Sequence, residues 1–588
     1  MNYVLNCDRK QNKVRIKILW QIILSGDFLK LYIAKLEFTI ICVNIKIKER
    51  KRGDSRMGIY LNPPADGFED ILKDDIYVDK TELIAYTNQV LGTTRKLTCF
   101  SRPRRFGKSF AAQMLVAYYS KGTKSEHLFK DLKIAKDIEE KSHYKQYLNQ
   151  CDVLFWDMTW FITNARNIED TVKDLQRKII FELKREFTDC IEQETIALPE
   201  ALLQISAVTG RKFFIIIDEW DALFREAQTD QRLQEEYIQL LRGLFKGIQV
   251  SRFLSGAYMT GILPIKKYGT QSALTDFYEY TMLEPGPLAE FVGFTEQEVK
   301  DLCKEQQIDF EQAKKWYDGY CFGQTGHIYN PNSVMKAIFN KRFSNYWTQT
   351  ETYESLRVYI DLNFDGLKDM IVDLIGEKHC RIDTGSFQND MTSLKNKDDV
   401  LTLLVHLGYL AYDIDQKEVY IPNEEIRQEF IRAIKNGKRQ ELVKAIERSD
   451  QLLDATLRMD EETVAEIIQE VHLSNTTPQF YNNEQALRSV VIMAYLSSID
   501  HYMKFEELAS GRGYCDILFV PTKDSKKPAL LIELKWDKKA KKAIEQIDEK
   551  QYVKGLEKFE YHGDVLLVGI SYQIKNEKHD CKIKKIVV

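Results

Sequence analysis

The feature that most constrains this chain is a glycine-lysine-serine turn between a strand-like apolar run and a helix-like periodic run. Gly107, Lys108 and Ser109 follow the apolar residues 96–100 and precede the periodic residues 110–115. Backbone N–H groups at such a turn can hold a phosphate, while the lysine meets it and the hydroxyl reaches a magnesium ion. The stretch Arg105-Phe106-Gly107-Lys108-Ser109 is therefore predicted to be a phosphate-binding loop. Arg102 stands where the strict pattern has its first glycine.

Two adjacent acids end the most informative apolar run, residues 212–217, at Asp218 and Glu219. Acids at the carboxyl end of a central parallel strand lie where open α/β sheets bind ligands. We expect Asp218 to hold magnesium and Glu219 to polarise the attacking water. Another predicted strand, 251–261, ends near Thr260, whose hydroxyl suits a sensor of the terminal phosphate. A solvated strand end would explain Thr260 equally well.

Composition narrows the class of protein. The chain has 588 residues, 44% of them hydrophobic, and a net charge of −4, as expected for several globular domains. That balance argues against a protein that coats nucleic acid, although a local basic groove remains compatible with it. The ten cysteines form no Cys-x-x-Cys pair, so neither a zinc site nor a disulfide framework is predicted. This pattern favours a reducing, cytoplasmic location. No membrane association is expected.

The first 56 residues differ from the rest, with thirteen Lys and Arg against five Asp and Glu. The basic run 48–56 just before Met57 resembles a translated ribosome-binding site, so residues 1–56 are predicted to be a basic extension created by a start-site error. A real basic arm is the alternative. N-terminal sequencing of the native protein distinguishes the two.

The segment from about 57 to about 290 resembles the AAA-ATPase-like family of bacterial proteins. The resemblance rests on the loop 102–109, on 77–81, on 217–221, on 260–265, and on 316–320 followed by 329–331. It implies a P-loop NTPase sheet, ATP and Mg²⁺ as cofactors, and a variant loop in which an arginine replaces the first glycine.

The middle of the chain, 284–475, is predicted to be a helical annex. The helical run 401–407, a hairpin around 414–417 and a helix from Glu424 to about Ala433 outline a winged helix. This outline is compatible with DNA binding or with a packing module on the ATPase.

A second set of acids lies in the last hundred residues. Asp516 is near the start of one predicted strand, and Glu533 and Lys535 lie two apart on the next, so the latter two point to one face. Converging carboxylates beside a lysine can hold a divalent metal and orient a water against a phosphodiester. The lysine-rich run 535–542 follows and would meet phosphates or simply be solvated.

This C-terminal segment, 476–588, resembles the PD-(D/E)XK nuclease superfamily, an α/β fold of the restriction-endonuclease type. Asp516 matches the first acid, with Cys515 in place of proline, and Glu533 and Lys535 match Glu-x-Lys. The resemblance also implies Glu484 as a further metal ligand from the first helix, and Gln546 with Tyr552 as the following helix motif.

The sequence thus predicts an α/β protein with an AAA-like P-loop domain (57–283), a helical, winged-helix-like annex (284–475) and a nuclease-like domain (476–588). The expected function is ATP binding and hydrolysis coupled to metal-dependent action on DNA or RNA. The alternatives are an NTP-dependent switch whose nuclease-like domain binds without cutting, and a scaffold without nucleotide. A homo-oligomer is compatible with the family, with Arg104, Arg105 or Arg252 as the arginine finger.

Overall fold

A computed structural model describes residues 58–136, 142–265, 274, 276–347, 353–362, 364–388, 394–436, 440–475, 483–496, 498, 501–510, 513–522, 525–559 and 561–588. The predicted start-site error at 1–56 lies outside these residues. No helix in these ranges is both long and apolar enough to span a bilayer.

The first sheet is built from five parallel strands in the order β2-β3-β4-β1-β5. Alternate residues of β3 enter two different cores, Phe214 and Ile216 on one face and Ile215 and Ile217 on the other. A strand buried on both faces needs the continuous apolar run that the sequence has here. The five strands are β1 (Leu97–Ser101), β2 (Asp152–Asp157), β3 (Phe213–Asp218), β4 (Leu254–Gly261) and β5 (Tyr278–Tyr280).

Helices cover both faces of this sheet. They are α1 (Asp66–Leu72), α2 (Glu82–Val90), α3 (Lys108–Tyr119), α4 (Glu126–Phe129), α5 (Lys133–Lys136), α6 (Tyr144–Tyr147), α7 (Met158–Thr163), α8 (Thr171–Glu186), α9 (Leu198–Thr209), α10 (Ala222–Glu226), α11 (Gln231–Phe245) and α12 (Val250–Phe253).

The annex contains two small antiparallel sheets among helices. Strands β6 (Phe294–Thr295), β7 (Tyr320–Cys321) and β8 (His327–Tyr329) form one, and β9 (Cys380–Arg381), β10 (Ala411–Asp413) and β11 (Glu418–Tyr420) form the other. The helices are α13 (Glu296–Gln306), α14 (Phe310–Tyr317), α15 (Pro331–Asn340), α16 (Tyr353–Ile360), α17 (Leu367–Ile375), α18 (Lys397–Leu407), α19 (Glu424–Lys435), α20 (Gln440–Leu457) and α21 (Glu461–Asn475).

The winged-helix outline is present as α18, the β10–β11 hairpin and α19. Both helices are buried along most of their length, and even Glu425 and Glu429 of α19 are inside. A helix buried on all sides cannot enter a DNA groove. Between the two alternatives left by the sequence, the structure favours the packing module.

The C-terminal domain is a mixed five-stranded sheet in sequential order, in which only the β14–β15 pair is parallel. Residues of β13 alternate between two cores, with Ile517 and Phe519 on one face and Leu518 and Val520 on the other. The elements are α22 (Glu484–Ala494), β12 (Tyr502–Ser510), β13 (Gly513–Pro521), β14 (Ala529–Trp536), α23 (Lys541–Lys550), β15 (Asp564–Gln573) and β16 (Lys578–Val587).

Charged residues join the annex to this sheet; we call Lys315, Glu377, Glu424, Arg427 and Lys504 the interface cluster. Glu377 Oε1 lies 2.6 Å from Arg427 and 2.5 Å from Lys504 Nζ. Burial alone would raise the pKa of Glu377, but these two cations lower it to about 2. Lys315 donates to the backbone carbonyl of Lys504, and burial lowers the pKa of Lys315 to about 7.

Candidate functional site

The glycine-lysine-serine turn connects β1 to the N-terminus of α3. Arg105 and Gly107 have φ values of 66° and 91°, in the left-handed region that glycine adopts without strain. Left-handed residues next to right-handed ones turn successive N–H groups toward one point, which makes a concavity for an anion. The positive end of the helix dipole lies at the same place.

The side chain of Lys108 is only 3% exposed and is held in place by two polar partners. Its Nζ donates to the Pro103 carbonyl at 3.0 Å and lies 3.7 Å from Glu219 Oε1. A buried ammonium needs such partners, because desolvation otherwise disfavours the charged form. Both partners fix the position of the Lys108 side chain next to the turn.

Asp218, Ser109 and Thr260 meet at the carboxyl edge of the sheet. Thr260 Oγ1 donates to Asp218 Oδ1, and Ser109 also hydrogen-bonds the Asp218 side chain. Burial raises the pKa of Asp218, which these hydrogen bonds and Lys108 oppose. A buried carboxylate next to two hydroxyls is an oxygen-rich set that fits Mg²⁺.

Glu219 follows in the left-handed region, with a φ of 51°. Arg225 lies 2.5 Å from Glu219 Oε2 and donates from Nε to Asp221 at 3.1 Å. Burial raises the pKa of Glu219, while Lys108 and Arg225 lower it. The carboxylate is thus fixed between two cations at the edge of the candidate nucleotide site.

A cavity of about 860 Å³ opens in front of these groups. Its floor is the phosphate loop with Asp218 and Glu219, and its far wall comes from the annex, including Phe291, Pro331 and Asn332. Arg105 reaches that wall, donating to Asn332 Oδ1 at 3.3 Å. The volume is within the usual range for a small-molecule site. At the floor of the cavity, Lys108 with the oxygens of Ser109, Asp218 and Glu219 fits a nucleoside triphosphate with magnesium.

Arg102 and Phe106 pack into the core, and Phe106 also lines the cavity. Arg102 is fully buried over the Phe322 ring, 4.8 Å from its centroid, and donates to the Ser101 and Tyr280 carbonyls at 3.1 Å. It is not among the described residues that line the cavity. Phe106 packs edge-on against Tyr320 of the annex, with ring centroids 5.4 Å apart. Where the strict motif has a glycine, this chain therefore has a side chain that ties the loop to the annex.

The second constellation lies on β13 and β14. Ile517 pairs with Ile532, which sets Asp516 opposite Glu533. Asp516 Oδ2 accepts from the Leu534 N–H at 2.8 Å. Burial first, and then the Asp516 charge, raise the pKa of Glu533 to about 7. Two facing carboxylates that repel each other in a buried position are the arrangement that a divalent cation relieves.

The two carboxylate oxygens of Glu533 differ in their hydrogen bonds. Its Oε1 accepts from Lys535 Nζ at 3.1 Å and from Gln546, whose amide also reaches Tyr552 at 3.1 Å. Its Oε2 is buried with no hydrogen-bond partner among the described residues. A buried carboxylate oxygen without a hydrogen bond, on a residue opposite Asp516, fits a metal ion, and Lys535 and Gln546 orient the carboxylate through Oε1.

Glu484, the third predicted ligand, is in the first turn of α22. The side chain from this helix that reaches Asp516 is instead Arg488, one turn further on, whose Nη2 lies 3.0 Å from Asp516 Oδ1. Arg488 also pairs with Glu507 of β12. Within the described ranges, the oxygens of Glu484, Asp516 and Glu533 do not form a group within 4.8 Å of one another. The metal role of Glu484 remains a prediction.

Sequence reasoning assigned no role to three residues at these sites. Asp157 ends β2 beside Asp218 and lines the cavity, and only its position at a strand end could have signalled this. Arg225 and Arg488 are on helices where a charged residue has many roles. Nothing in their spacing distinguishes them from solvated arginines.

Residues 65–270 match the model of a family described as a predicted AAA-ATPase. Residues 482–581 match the model of the PD-(D/E)XK nuclease superfamily. The chain therefore carries an AAA-ATPase-like domain and a C-terminal domain of the PD-(D/E)XK nuclease superfamily, as the sequence predicted. No curated protein matches it.

Similar solved structures include the ORC2 protein of Aeropyrum pernix, in ADPNP and ADP complexes. It has 12% identity and a TM-score of 0.28, and the match covers 63% of this chain and 97% of that one. Another is C. elegans PCH-2, with 11% identity and a TM-score of 0.20, covering 58% of this chain and 71% of that one. Scores this low carry no argument about function.

Proposed function

We propose that this protein is an ATPase joined to a metal-dependent nuclease, and that nucleotide binding controls the cutting of nucleic acid. The observation that carries the proposal is the buried Oε2 of Glu533, which has no hydrogen-bond partner among the described residues, on a strand position opposite Asp516 and with Lys535 bonded to Oε1. The free thiols of the eight described cysteines support a reducing, cytoplasmic setting.

On the ATPase side, Lys108 would meet the β- and γ-phosphates, and Thr260, which is buried behind Asp218, would sense the terminal phosphate through that acid. Bound ATP with Mg²⁺ would supply the transferable phosphate and the charge neutralisation. Ser109 and Asp218 would hold the magnesium. Glu219, held by Arg225, would orient and deprotonate the attacking water. Arg104 and Arg105 at the loop and Arg252 on α12 are all exposed, so the arginine finger would be one of these three.

On the nuclease side, Asp516 and Glu533 would hold a divalent ion, which polarises a phosphodiester and activates water when bound. Lys535 is buried beside Glu533 and is positioned to place the nucleophile or balance developing charge. Gln546 donates to Glu533 Oε1 and to the Tyr552 hydroxyl, which restrains the Glu533 carboxylate and leaves Oε2 without a hydrogen bond among the described residues. The exposed lysines 538, 539, 541 and 542 begin just after this strand and are available to nucleic-acid phosphates.

One contact favours a second candidate, an ATP-dependent switch whose nuclease-like domain binds nucleic acid without cutting. Arg488 neutralises Asp516 directly, which lowers the need for a metal at this acid. The third possibility, a scaffold from which an arginine displaces nucleotide, is disfavoured because Arg102 packs in the core.

The test is a cleavage assay on the full-length protein, using single- and double-stranded DNA and RNA with Mg²⁺ or Mn²⁺, with and without ATP. We expect cleavage that is lost in Glu533→Gln and Asp516→Asn but kept in Glu545→Gln, a matched acid on α23 that pairs only with Lys542 in the described structure. ATP turnover with binding but no cleavage supports the switch. Cleavage that survives Glu533→Gln contradicts the nuclease assignment.

A further inference from the structure

A separate cluster of metal-ligating groups lies in the annex, away from both sites described above. Glu296 is the first residue of α13, Asp318 follows the last residue of α14, and His327 begins β8. One ligand atom from each lies within 4.8 Å of the other two, and among the described residues this is the group of three or more with that property. Three elements that are distant in sequence thus deliver three ligands to one point.

The distance between the ligand atoms of His327 and Asp318 suits one ion. His327 Nδ1 lies 2.9 Å from Asp318 Oδ1 and 2.8 Å from Oδ2. Two ligands bound at about 2.1 Å to one ion lie about 3.0–3.4 Å apart, so this pair needs only a small separation to accept one. An imidazole with two carboxylates favours Zn²⁺ or a similar transition ion over Mg²⁺, which prefers an all-oxygen set.

A buried hydroxyl beside the cluster is the second, independent observation. Tyr329 is fully buried, and its hydroxyl makes no hydrogen bond of normal geometry within the described ranges. Tyr329 comes two residues after His327 on β8, so the two side chains lie on the same face of that strand. A buried polar group without a partner calls for an ion or water that would satisfy it. An ion held by Asp318 and Glu296 would provide that partner.

The cluster has competing cations, and they are weakly held. Glu296 pairs with Lys300 at 2.5 Å and with Lys314 at 3.2 Å, but these lysine side chains are 44% and 40% exposed. Exposed pairs of this kind contribute little to stability, because solvent screens the charges. A divalent ion that gains three ligands can displace them, and both lysines can then turn into water.

We propose that Glu296, Asp318 and His327 form a binding site for a divalent transition-metal ion of the Zn²⁺ class. The ion would crosslink α13, the end of α14 and β8. These elements adjoin the annex wall of the nucleotide cavity, since Phe294 precedes Glu296 and Pro331 follows Tyr329 closely. The site is independent of the metal proposed for Asp516 and Glu533.

The experiment is isothermal titration of the EDTA-stripped, dialysed full-length protein with Zn²⁺ in the absence of nucleotide. The background is Asp516→Asn/Glu533→Gln, so that the nuclease site does not contribute. We expect one ion per chain, with affinity reduced at least tenfold by His327→Gln and by Glu296→Gln. The matched control is His562→Gln, at an exposed histidine outside the cluster, which should bind as the background does.

Co²⁺ provides a second readout that does not depend on heat signals. Its visible d–d bands should appear on binding and disappear in His327→Gln, because they report nitrogen and oxygen ligands directly. Circular dichroism and the melting temperature without metal establish that each variant folds. Absence of Zn²⁺ binding, or binding that both His327→Gln and Glu296→Gln leave unchanged, overturns the proposal.

Discussion

Lowering the pH should weaken metal binding at the nuclease-like site, and the size of the effect follows from Glu533. A metal binds the ionised carboxylate, but burial and the facing charge of Asp516 raise the pKa of Glu533 to about 7 in the metal-free protein. Protons and metal therefore compete at the Glu533 carboxylate between about pH 6 and pH 8. Because the protonated fraction of Glu533 grows as the pH falls, competition from protons becomes stronger toward pH 6.

The magnitude comes from the ionised fraction. With a pKa of about 7, roughly one tenth of Glu533 is ionised at pH 6 and roughly nine tenths at pH 8. The metal affinity should therefore rise about tenfold over this range, which corresponds to about 1.4 kcal/mol of binding free energy. Above pH 8 the gain should end, because the carboxylate is then already ionised.

The assay is isothermal titration with Mn²⁺ at pH 6, 7 and 8, in the His327→Gln background so that the annex cluster does not contribute. Glu533→Gln should bind weakly at every pH and lose the slope. Glu545→Gln, an acid that is partly exposed on α23, should keep the slope of its parent. An affinity that stays constant from pH 6 to pH 8 would refute the reasoning, since Glu533 would then be ionised throughout.

Three further predictions concern single side chains. Lys108→Ala should lower ATP turnover, measured as phosphate release, by about 100-fold or more, since it removes the cation at the turn; turnover equal to the parent's contradicts the nucleotide site. Arg102→Met should keep ATP binding and a melting temperature at or above the parent's, because Nε and Nη2 of the buried guanidinium lack partners in the described structure; lost ATP binding would place Arg102 at the phosphates. Arg488→Ala should bind Mn²⁺ about fivefold more tightly by titration, because about 1 kcal/mol of competing ion pair with Asp516 is removed; weaker binding would make Arg488 a support of the site.

The meeting of Asp218 and Thr260 could be anticipated from sequence because parallel strands bring their carboxyl ends to one edge. The strand alternation that put Glu533 and Lys535 on one face is equally local, and the structure has their side chains 3.1 Å apart. Such inferences need only the period of the strand and the type of sheet.

The remaining features depend on contacts between distant segments. Glu484 and Arg488 lie on the same face of α22, so which of them reaches Asp516 depends on the position of the helix along its axis, where one turn makes the difference. The interior position of Arg102 depends on Phe322, more than two hundred residues away, covering it. The sequence shows only that an arginine replaces the first glycine of the loop, and the structure places its side chain against an aromatic ring.

The interface cluster bears on how the protein can be divided. A boundary at residues 476–482 suits a truncation by sequence, but cutting there would separate Lys504 from Glu377 and leave Glu424 and Lys315 without the surface that covers them. The Lys504–Glu377 pair is only partly buried, with side chains 17% and 29% exposed, so its loss costs less than that of a fully buried pair, but Lys315 and Glu424 would be uncovered as well. The annex and the nuclease-like sheet should therefore unfold in one cooperative transition, and each half expressed alone should be prone to aggregate.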